Sequence, residues 1–168
     1  MFQPVLLPSD DTAILGNRVV EWPDEASCAA FASLLASQPT LQHCYLELHG
    51  PLGAGKTTFV RHLLRALGVQ GRIKSPTYTV MEPYSVAGLN ISHFDFYRFS
   101  DPREWADAGL REVFAAPGLK LAEWPDQVVG MLPLADLSLH IQPDQAGKAE
   151  GRLVRLEAHT AHGLALLR

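Results

Sequence analysis

Residues 50–57 read Gly-Pro-Leu-Gly-Ala-Gly-Lys-Thr and fit the pattern G-x-x-x-x-G-K-[ST]. The segment 44–49 before them is apolar enough for a short buried strand, and residues 58–67 place apolar side chains at helical spacing. Strand, glycine-rich loop and helix follow one another in the order that a phosphate-binding loop requires. A chance glycine turn is the alternative interpretation. The flanking elements favour a nucleotide-binding loop, and ATP or GTP is the predicted ligand.

The chemistry of such a loop assigns a role to each of its residues. Successive backbone N–H groups surround a phosphate, and the positive end of the following helix dipole adds to the attraction. Lys56 is predicted to reach the β- and γ-phosphates, and the Thr57 hydroxyl to join the Mg²⁺ shell. The predicted cradle consists of Gly50, Pro51, Leu52, Gly53, Ala54, Gly55, Lys56, Thr57 and Thr58.

Composition narrows the class of protein. The chain has 168 residues, 47% hydrophobic and 19% charged, as in ordinary globular proteins. Its net charge of −4 argues against a protein that binds nucleic acid unaided, so any RNA connection is expected through a partner. Cys28 and Cys44 show no zinc-binding spacing and are expected to be reduced. Neither a membrane span nor a signal peptide is visible, and we expect a cytoplasmic protein.

Alternating strand and helix signals predict an α/β fold, a P-loop NTPase-like mixed sheet flanked by helices. Residues 1–16 are predicted to be an irregular extension, and residues 17–168 a single P-loop ATPase domain. The predicted strands and helices are a strand at 18–22, a helix at 25–37, a strand at 89–97, a helix at 103–108, a strand at 118–122, and a final hairpin of 136–142 with 152–158.

A P-loop NTPase also needs a carboxylate near its Mg²⁺, and two segments compete for that role. Asp95 lies inside an apolar strand, where an unpaired carboxylate is costly to bury. Glu123 follows an apolar strand, the usual Walker B position. Pairing of Asp95 with Arg98, and a solvated strand end at Glu123, are the alternatives. With a phosphate-binding loop upstream, functional roles are favoured for both carboxylates.

Three other segments could also reach the nucleotide. Residues 75–77, Ser-Pro-Thr, follow Lys56 at a distance where P-loop switches often place a hydroxyl that senses the γ-phosphate. A proline-fixed turn explains them equally well. His49 is interpreted as a strand-end side chain. Trp124 is open to three interpretations: a core residue, a lid over the site or a partner contact.

With these residues in view, the chain resembles the bacterial ATPase family of tRNA threonylcarbamoyladenosine synthesis, the TsaE (YjeE-type) family. The resemblance runs from about residue 17 to residue 167. The order and spacing of the motifs make it specific. The motifs are HGPLGAGKTTFVRHLLRALG at 49–68, KSPTYTVMEPY at 74–84, HFDFYR at 93–98, a helical region at 105–114, LAEWPDQ at 121–127 and GRLVRLEA at 151–158.

The resemblance implies roles for the matching positions. Glu123 would be the second magnesium-side ligand, and Asp95 would position water or the metal for hydrolysis. Ser75 and Thr77 would belong to a switch loop near the γ-phosphate. The remaining implied contacts are Trp124 close to the nucleotide and Arg152 towards its base. Members often carry a threonine in the helix after Pro23, where this chain has Ser27 and Cys28, so the base pocket departs from the family pattern.

The resemblance also implies how such a subunit acts. It would be a Mg²⁺-dependent ATPase, slow alone, that docks on a heterodimer of sugar-kinase-like fold. That pair threonylcarbamoylates adenosine 37 in tRNAs reading codons that start with A. No obvious arginine finger is visible in the sequence, although Arg61 and Arg98 are candidates. A small-molecule P-loop kinase and a nucleotide-gated binding module are the alternatives.

Overall fold

A mixed seven-stranded sheet forms the centre of the molecule. The computed structural model describes residues 13–101, 103–146 and 149–168. The strand order is β1-β7-β6-β2-β5-β4-β3. The strands are β1 (Gly16–Trp22), β2 (Tyr45–His49), β3 (Met81–Val86), β4 (Leu89–Asp95), β5 (Leu119–Glu123), β6 (Leu137–Pro143) and β7 (Arg152–Ala158).

The four middle strands, β4, β5, β2 and β6, are parallel, and their carboxyl ends therefore meet at one edge of the sheet. Asp95 pairs with Glu123 across β4 and β5, and Leu48 pairs with Glu123 across β2 and β5. The outer pairings, β3 with β4, β7 with β6 and β1 with β7, are antiparallel. Open parallel sheets bind ligands at the edge where the carboxyl ends meet.

Helices cover both faces of the sheet. They are α1 (Glu25–Ala36), α2 (Lys56–Ala66), α3 (Glu104–Asp107), α4 (Leu110–Ala115) and α5 (Ala161–Leu166), with 3₁₀ turns at Pro39–His43 and Pro125–Val128. The Asp24 carboxylate accepts the Ser27 N–H at 2.8 Å and begins α1, as N-cap residues do. None of the helices in the described residues is long and apolar enough to cross a bilayer.

Two apolar clusters fill the space between sheet and helices. On one face, side chains of β2 and β6 such as Leu46 and Leu139 pack with α2 residues such as Leu63. On the other face, aromatic rings dominate, with Phe94 and Trp105 almost fully buried. Side chains alternate between the faces of a strand, so a strand that is apolar on both faces joins the two clusters. β5, which is buried throughout, contributes Leu119 and Leu121 to the first cluster and Ala122 to the second.

Most predicted elements are confirmed, and α5 is the main omission. The strands around 18–22, 89–97, 118–122 and the final hairpin are present, and α1 and α2 lie where they were expected. The helix predicted at 103–108 is a short α3, and Pro102, its predicted cap, lies outside the described residues. Most of the predicted extension, 1–12, also lies outside them. Residues 13–15 form no regular element, and β1 begins at Gly16.

Candidate nucleotide-binding site

The glycine-rich loop leaves the carboxyl end of β2 and enters α2, as predicted. Gly50 has φ +152°, and a Cβ there would lie 2.4 Å from the Ile141 carbonyl oxygen of neighbouring β6. Gly55, with φ +105°, is the residue before α2. Glycine adopts such backbone conformations without steric cost. The loop can therefore curl inward over the first turn of α2.

The Lys56 side chain folds back across the glycine loop and binds carbonyl groups at its start. Its side chain is 5% exposed, and its Nζ donates hydrogen bonds to the carbonyl oxygens of Gly50 at 2.6 Å and Pro51 at 3.0 Å. The Nζ also lies 4.0 Å from the centre of the Trp124 ring. Burial lowers the pKa of this amine, while the Glu123 and Asp95 carboxylates oppose the shift. The ammonium is thus fixed at the mouth of the loop.

Thr57, the next residue, faces the end of β5. Its Oγ1 donates a hydrogen bond to Glu123 Oε1 at 2.7 Å. The other oxygen of Glu123, Oε2, lies 2.6 Å from His93 Nε2 on β4. Glu123 is 2% exposed and His93 fully buried, so this is an interior cluster of polar groups.

Asp95 lies beside Glu123 at the carboxyl end of β4. Its Oδ2 accepts a hydrogen bond from Thr77 Oγ1 at 3.0 Å, and its Oδ1 accepts the Tyr97 N–H at 2.9 Å. Burial raises the pKa of Asp95, with the Tyr97 N–H opposing the shift and the Glu123 charge adding to it. Ser75 Oγ lies 2.9 Å from Thr77 Oγ1 and is therefore one hydrogen bond further from the carboxylate.

These side chains surround a cavity of about 290 Å³. Its lining consists of the loop residues 52–58 together with Thr77, Asp95, Tyr97, Glu123 and Trp124. Trp124 follows β5 in a left-handed conformation, φ +56°, and its ring lies 5.0 Å from that of Tyr97. Trp124 thus forms part of the wall of this cavity, and of its three interpretations a lid over the site is nearest to this position.

A second cavity, of about 240 Å³, continues from the first along the loop. The two share Ala54, Gly55 and Thr58. Arg152 lines the second cavity, and its Nε donates to the Ala54 carbonyl at 2.6 Å. Cys28 lines it too, and burial raises the pKa of the Cys28 thiol to about 12. The departure from the family pattern at Cys28 thus falls on a cavity wall.

Some of the predicted site residues do not line the first cavity, which is called the phosphate cavity below. Ser75 is absent from its lining, and Pro51 and Gly50 contribute through the carbonyls that Lys56 binds. The Arg98 guanidinium lies 4.0 Å from the centre of the Tyr78 ring instead of pointing into the cavity. Neither Arg61 nor any other arginine of the described residues lines it.

The sequence motifs predict no role for His93 or Tyr97, although both belong to the HFDFYR motif. His93 precedes Asp95 by two residues, and positions two apart share a face of a strand. That periodicity could have placed it towards Glu123. Its spatial partner could not be found, because the sequence does not say which strand lies beside β4.

A further group of potential metal ligands lies at the opposite edge of the sheet. Ligand atoms of Cys44, Asp136 and His162 fall within 4.8 Å of one another. The Asp136 carboxylate is already engaged there, accepting the Tyr45 N–H at 2.7 Å and the Thr160 hydroxyl at 2.5 Å. These bonds give Asp136 a structural role.

The residues at the first cavity fit a magnesium nucleotide. Mg²⁺ prefers oxygen ligands, and Thr57, Asp95 and Glu123 offer a hydroxyl and two carboxylates within one small volume. Gly50, Gly53 and Gly55 all have positive φ, which gives the loop the tight curvature that a phosphate cradle needs. The adjoining second cavity leaves room for the rest of a nucleotide.

Comparison with known proteins gives one family. The family model "Threonylcarbamoyl adenosine biosynthesis protein TsaE" matches residues 22–152. The Haemophilus influenzae protein named tRNA threonylcarbamoyladenosine biosynthesis protein TsaE is 43% identical over 123 residues, 71% of this chain and 78% of that protein. A Bacillus subtilis protein of the same name is 39% identical over 97 residues, 58% of this chain and 60% of that protein.

The structural comparison points the same way. The crystal structure of Bacillus subtilis YdiB superposes with a TM-score of 0.75 at 26% identity, covering 90% of this chain and 92% of that one. This likeness and the sheet with its flanking helices are consistent with a P-loop NTPase-like α/β fold. Since the family model covers residues 22–152, well over half of the chain, this protein belongs to the TsaE family.

Proposed function

We propose that this chain is a Mg²⁺-dependent ATPase required for threonylcarbamoylation of adenosine 37 in tRNAs that read codons starting with A. One observation carries the ATPase proposal: Lys56, Thr57, Asp95 and Glu123 converge on a single cavity beside the glycine loop. The names of the relatives, which refer to tRNA threonylcarbamoyladenosine biosynthesis, support the pathway.

ATP would occupy both cavities. The N–H groups of the loop and the Lys56 ammonium would hold the β- and γ-phosphates, because a fixed cation beside backbone donors is the usual phosphate cradle. The second cavity, with Arg152 and Cys28 in its wall, would take the sugar and base.

Mg²⁺ would be held by Thr57 and Glu123, directly or through water, and would neutralise charge on the phosphates. Asp95 would orient the attacking water or the metal. Its bond to Thr77 connects that carboxylate to the Ser75–Thr77 turn, so a change at the γ-phosphate could reach the turn through two hydrogen bonds.

The proposed partner is a heterodimer of sugar-kinase-like fold, the tRNA threonylcarbamoyl transferase, with tRNA engaged indirectly in the cytoplasm. Two features support dependence on a partner. The net charge of −4 offers little attraction to RNA phosphates. Lys56 is the only cationic side chain among the described residues lining the phosphate cavity, so a catalytic cation would have to come from elsewhere.

Nucleotide binding and phosphate release test the ATPase proposal. Lys56→Ala is expected to lose nucleotide binding, because a phosphate buried at the loop loses its fixed ammonium partner. Arg18→Ala removes an exposed cationic side chain on β1, away from the loop, and serves as the control. If Lys56→Ala binds and hydrolyses ATP like the parent in partner-supported assays, the loop is not the active site.

Asp95→Asn separates binding from hydrolysis. It keeps the shape and much of the hydrogen bonding of the side chain but removes its charge, so we expect ATP binding to persist while most hydrolysis is lost, on the order of 10²-fold or more. A search for a phosphorylated small molecule in the same assays addresses the kinase alternative. Normal turnover by Asp95→Asn would leave the acidic role to Glu123 alone.

A further inference from the structure

Among the residues that the structure describes, His93 is the one buried polar side chain near the site that the proposed chemistry does not use. It is fully buried on β4, between Ile91 and Asp95 on the same face of the strand. Ile91 and Leu121, its pairing partner on β5, are almost completely buried apolar residues. An aliphatic side chain would suit such surroundings better than an imidazole, because a buried polar ring is stabilised only through its hydrogen bonds.

The hydrogen bond that His93 makes is short and goes to Glu123. The distance from Nε2 to Glu123 Oε2 is 2.6 Å, just below the usual range of hydrogen bonds between an N–H donor and a carboxylate. The other ring nitrogen, Nδ1, is buried and has no partner among the described residues. A proton on Nδ1 would be a buried donor without an acceptor. The ring therefore carries its proton on Nε2 and donates it to the carboxylate.

Glu123 is thereby held from both sides. His93 donates to Oε2, and the Thr57 hydroxyl donates to Oε1 at 2.7 Å. With its proton committed to Glu123, the Thr57 oxygen has lone pairs left for a cation. The plane of the carboxylate decides where those lone pairs point, and His93 fixes that plane.

We propose that His93 is a positioning residue for the metal side of the site: by holding Glu123 Oε2 it orients Glu123 and, through it, the Thr57 hydroxyl. His93 itself lines neither cavity and would touch neither nucleotide nor metal. The inference rests on the proposed function, since it assigns Thr57 and Glu123 to Mg²⁺. Partners that orient metal ligands typically change metal affinity by about 10–100-fold when removed.

Three variants test the proposal. His93→Leu removes the donor, His93→Gln places an amide N–H near the position of Nε2, and Ile91→Val trims an apolar neighbour on the same strand face as a packing control. Mg²⁺ affinity is measured by calorimetry at a fixed, saturating ATP-analogue concentration, and analogue affinity is measured separately in EDTA. We expect His93→Leu to weaken Mg²⁺ binding about 10-fold or more. His93→Gln should recover most of it, and Ile91→Val should match the parent.

The affinity for the ATP analogue in EDTA distinguishes a positioning role of His93 from a general loss of structure at the site. We expect it to change less than about twofold in all three variants, because the loop and Lys56 do not depend on His93. A folded His93→Leu variant with parental Mg²⁺ affinity would overturn the proposal. So would equal losses in His93→Leu and His93→Gln.

A spectroscopic measurement covers the case in which His93→Leu does not fold. Nitrogen-15 NMR of the imidazole rings in the parent protein reports which nitrogen bears hydrogen, and we expect a slowly exchanging Nε2–H at His93. A proton on Nδ1 would contradict the proposal. If Lys56→Ala still binds nucleotide, the proposed function fails; if only the His93 results are negative, the proposed function stands and this inference alone is lost.

Discussion

Gly50 connects β2 to the phosphate-binding loop under tight steric limits. Its Cα faces the backbone of β6, where the Ile141 carbonyl oxygen would lie 2.4 Å from an added Cβ. Gly53, at the tip of the same loop, also has positive φ, +79°, but a Cβ there would meet no atom within 4 Å. Comparing the two positions therefore distinguishes the cost of a positive φ from the cost of a steric clash with β6.

Alanine substitution at these two glycines should have unequal effects. Gly53→Ala is expected to cost about 1–2 kcal/mol from backbone strain alone. Gly50→Ala should cost more, on the order of 3 kcal/mol, and should also abolish nucleotide binding, because the loop must shift away from β6. Urea unfolding and nucleotide titration measure the two effects. Equal stabilities for the two variants would show that β6 yields easily at this point.

At the scale of secondary-structure elements, Asp136 joins the amino ends of β2 and β6 to the start of α5. Its carboxylate accepts the Tyr45 N–H and the Thr160 hydroxyl, and its backbone carbonyl accepts the His159 N–H at 3.0 Å. The Asp136 carbonyl also lies where a Cβ at Gly163 would fall, so α5 packs closely here. All of these contacts are at the edge of the sheet opposite the glycine loop.

Asp136→Ala should therefore lower stability without changing nucleotide affinity. Hydrogen bonds to a charged group contribute about 1.5–3 kcal/mol each, and partial solvent access reduces that, so we expect a loss of about 2–4 kcal/mol. Asp144→Ala is the control, since the Asp144 carboxylate accepts a local bond from the Ala146 N–H. Urea unfolding gives the stability, and a parental free energy of unfolding for Asp136→Ala would show that these hydrogen bonds do not hold β2, β6 and α5 together.

β2 and β6 also carry a stacked pair of histidines, His49 and His140, with ring centres 4.6 Å apart. Burial acts to lower the pKa of His49, but hydrogen bonds and charge from Glu47 and Asp126 outweigh it, and the pKa is raised. Burial and the His49 charge lower the pKa of His140 against the pull of Glu157, with Arg155 adding to the lowering. As the pH falls, His49 is therefore the first of the two rings to take up an additional proton.

The raised pKa of His49 determines how its contribution to folding stability changes with pH. A histidine whose folded pKa exceeds its unfolded value stabilises the fold below the unfolded pKa, near 6.5, and loses that contribution as the pH rises through the folded pKa. His49→Gln should therefore cost more stability at pH 5.5 than at pH 8.5, by up to about 1 kcal/mol for a largely but incompletely buried pair. Urea unfolding at both pH values tests this, with exposed His43→Gln as control. A pH-independent loss would contradict it.

The sequence predicts the individual helices and strands far better than it predicts which strands lie side by side in the sheet. The strand, glycine loop and α2 follow from residues that are contiguous in the chain. Glu123 is predicted at the end of a strand, whereas Asp95, predicted inside a strand over 89–97, is the last residue of β4. That β4 lies beside β5, which brings Asp95 next to Glu123 and His93 onto Glu123, depends on long-range pairing with no local signal. α5 escaped prediction because it has six residues and contains Gly163, so tertiary packing rather than intrinsic propensity sustains it.

At the scale of the whole molecule, the nucleotide edge of the sheet presents exposed apolar groups. Leu52, in the glycine loop, is 73% exposed, and Tyr78, next to Thr77, is 81% exposed. Exposed apolar side chains that form one patch are typical of interaction surfaces, and we propose that Leu52 and Tyr78 belong to such a patch beside the first cavity. Tyr78 also supports Arg98, whose guanidinium stacks on its ring. A partner that covered this edge would close the phosphate cavity and contact the Ser75–Thr77 turn.

Phosphate release should consequently depend on the partner and on Tyr78. We expect slow turnover by the protein alone, no increase with tRNA alone because an acidic chain attracts RNA weakly, and faster turnover with the transferase heterodimer. Tyr78→Ala should lose most of the stimulation, on the order of tenfold, and keep the basal rate. Val19→Ala, which trims an exposed side chain on distant β1, is the matched control. Full activity in isolation, unchanged by the heterodimer, would favour a free-standing NTPase. If stimulation survives Tyr78→Ala, the docking surface must lie away from this edge of the sheet, because a partner bound there would contact the Tyr78 side chain.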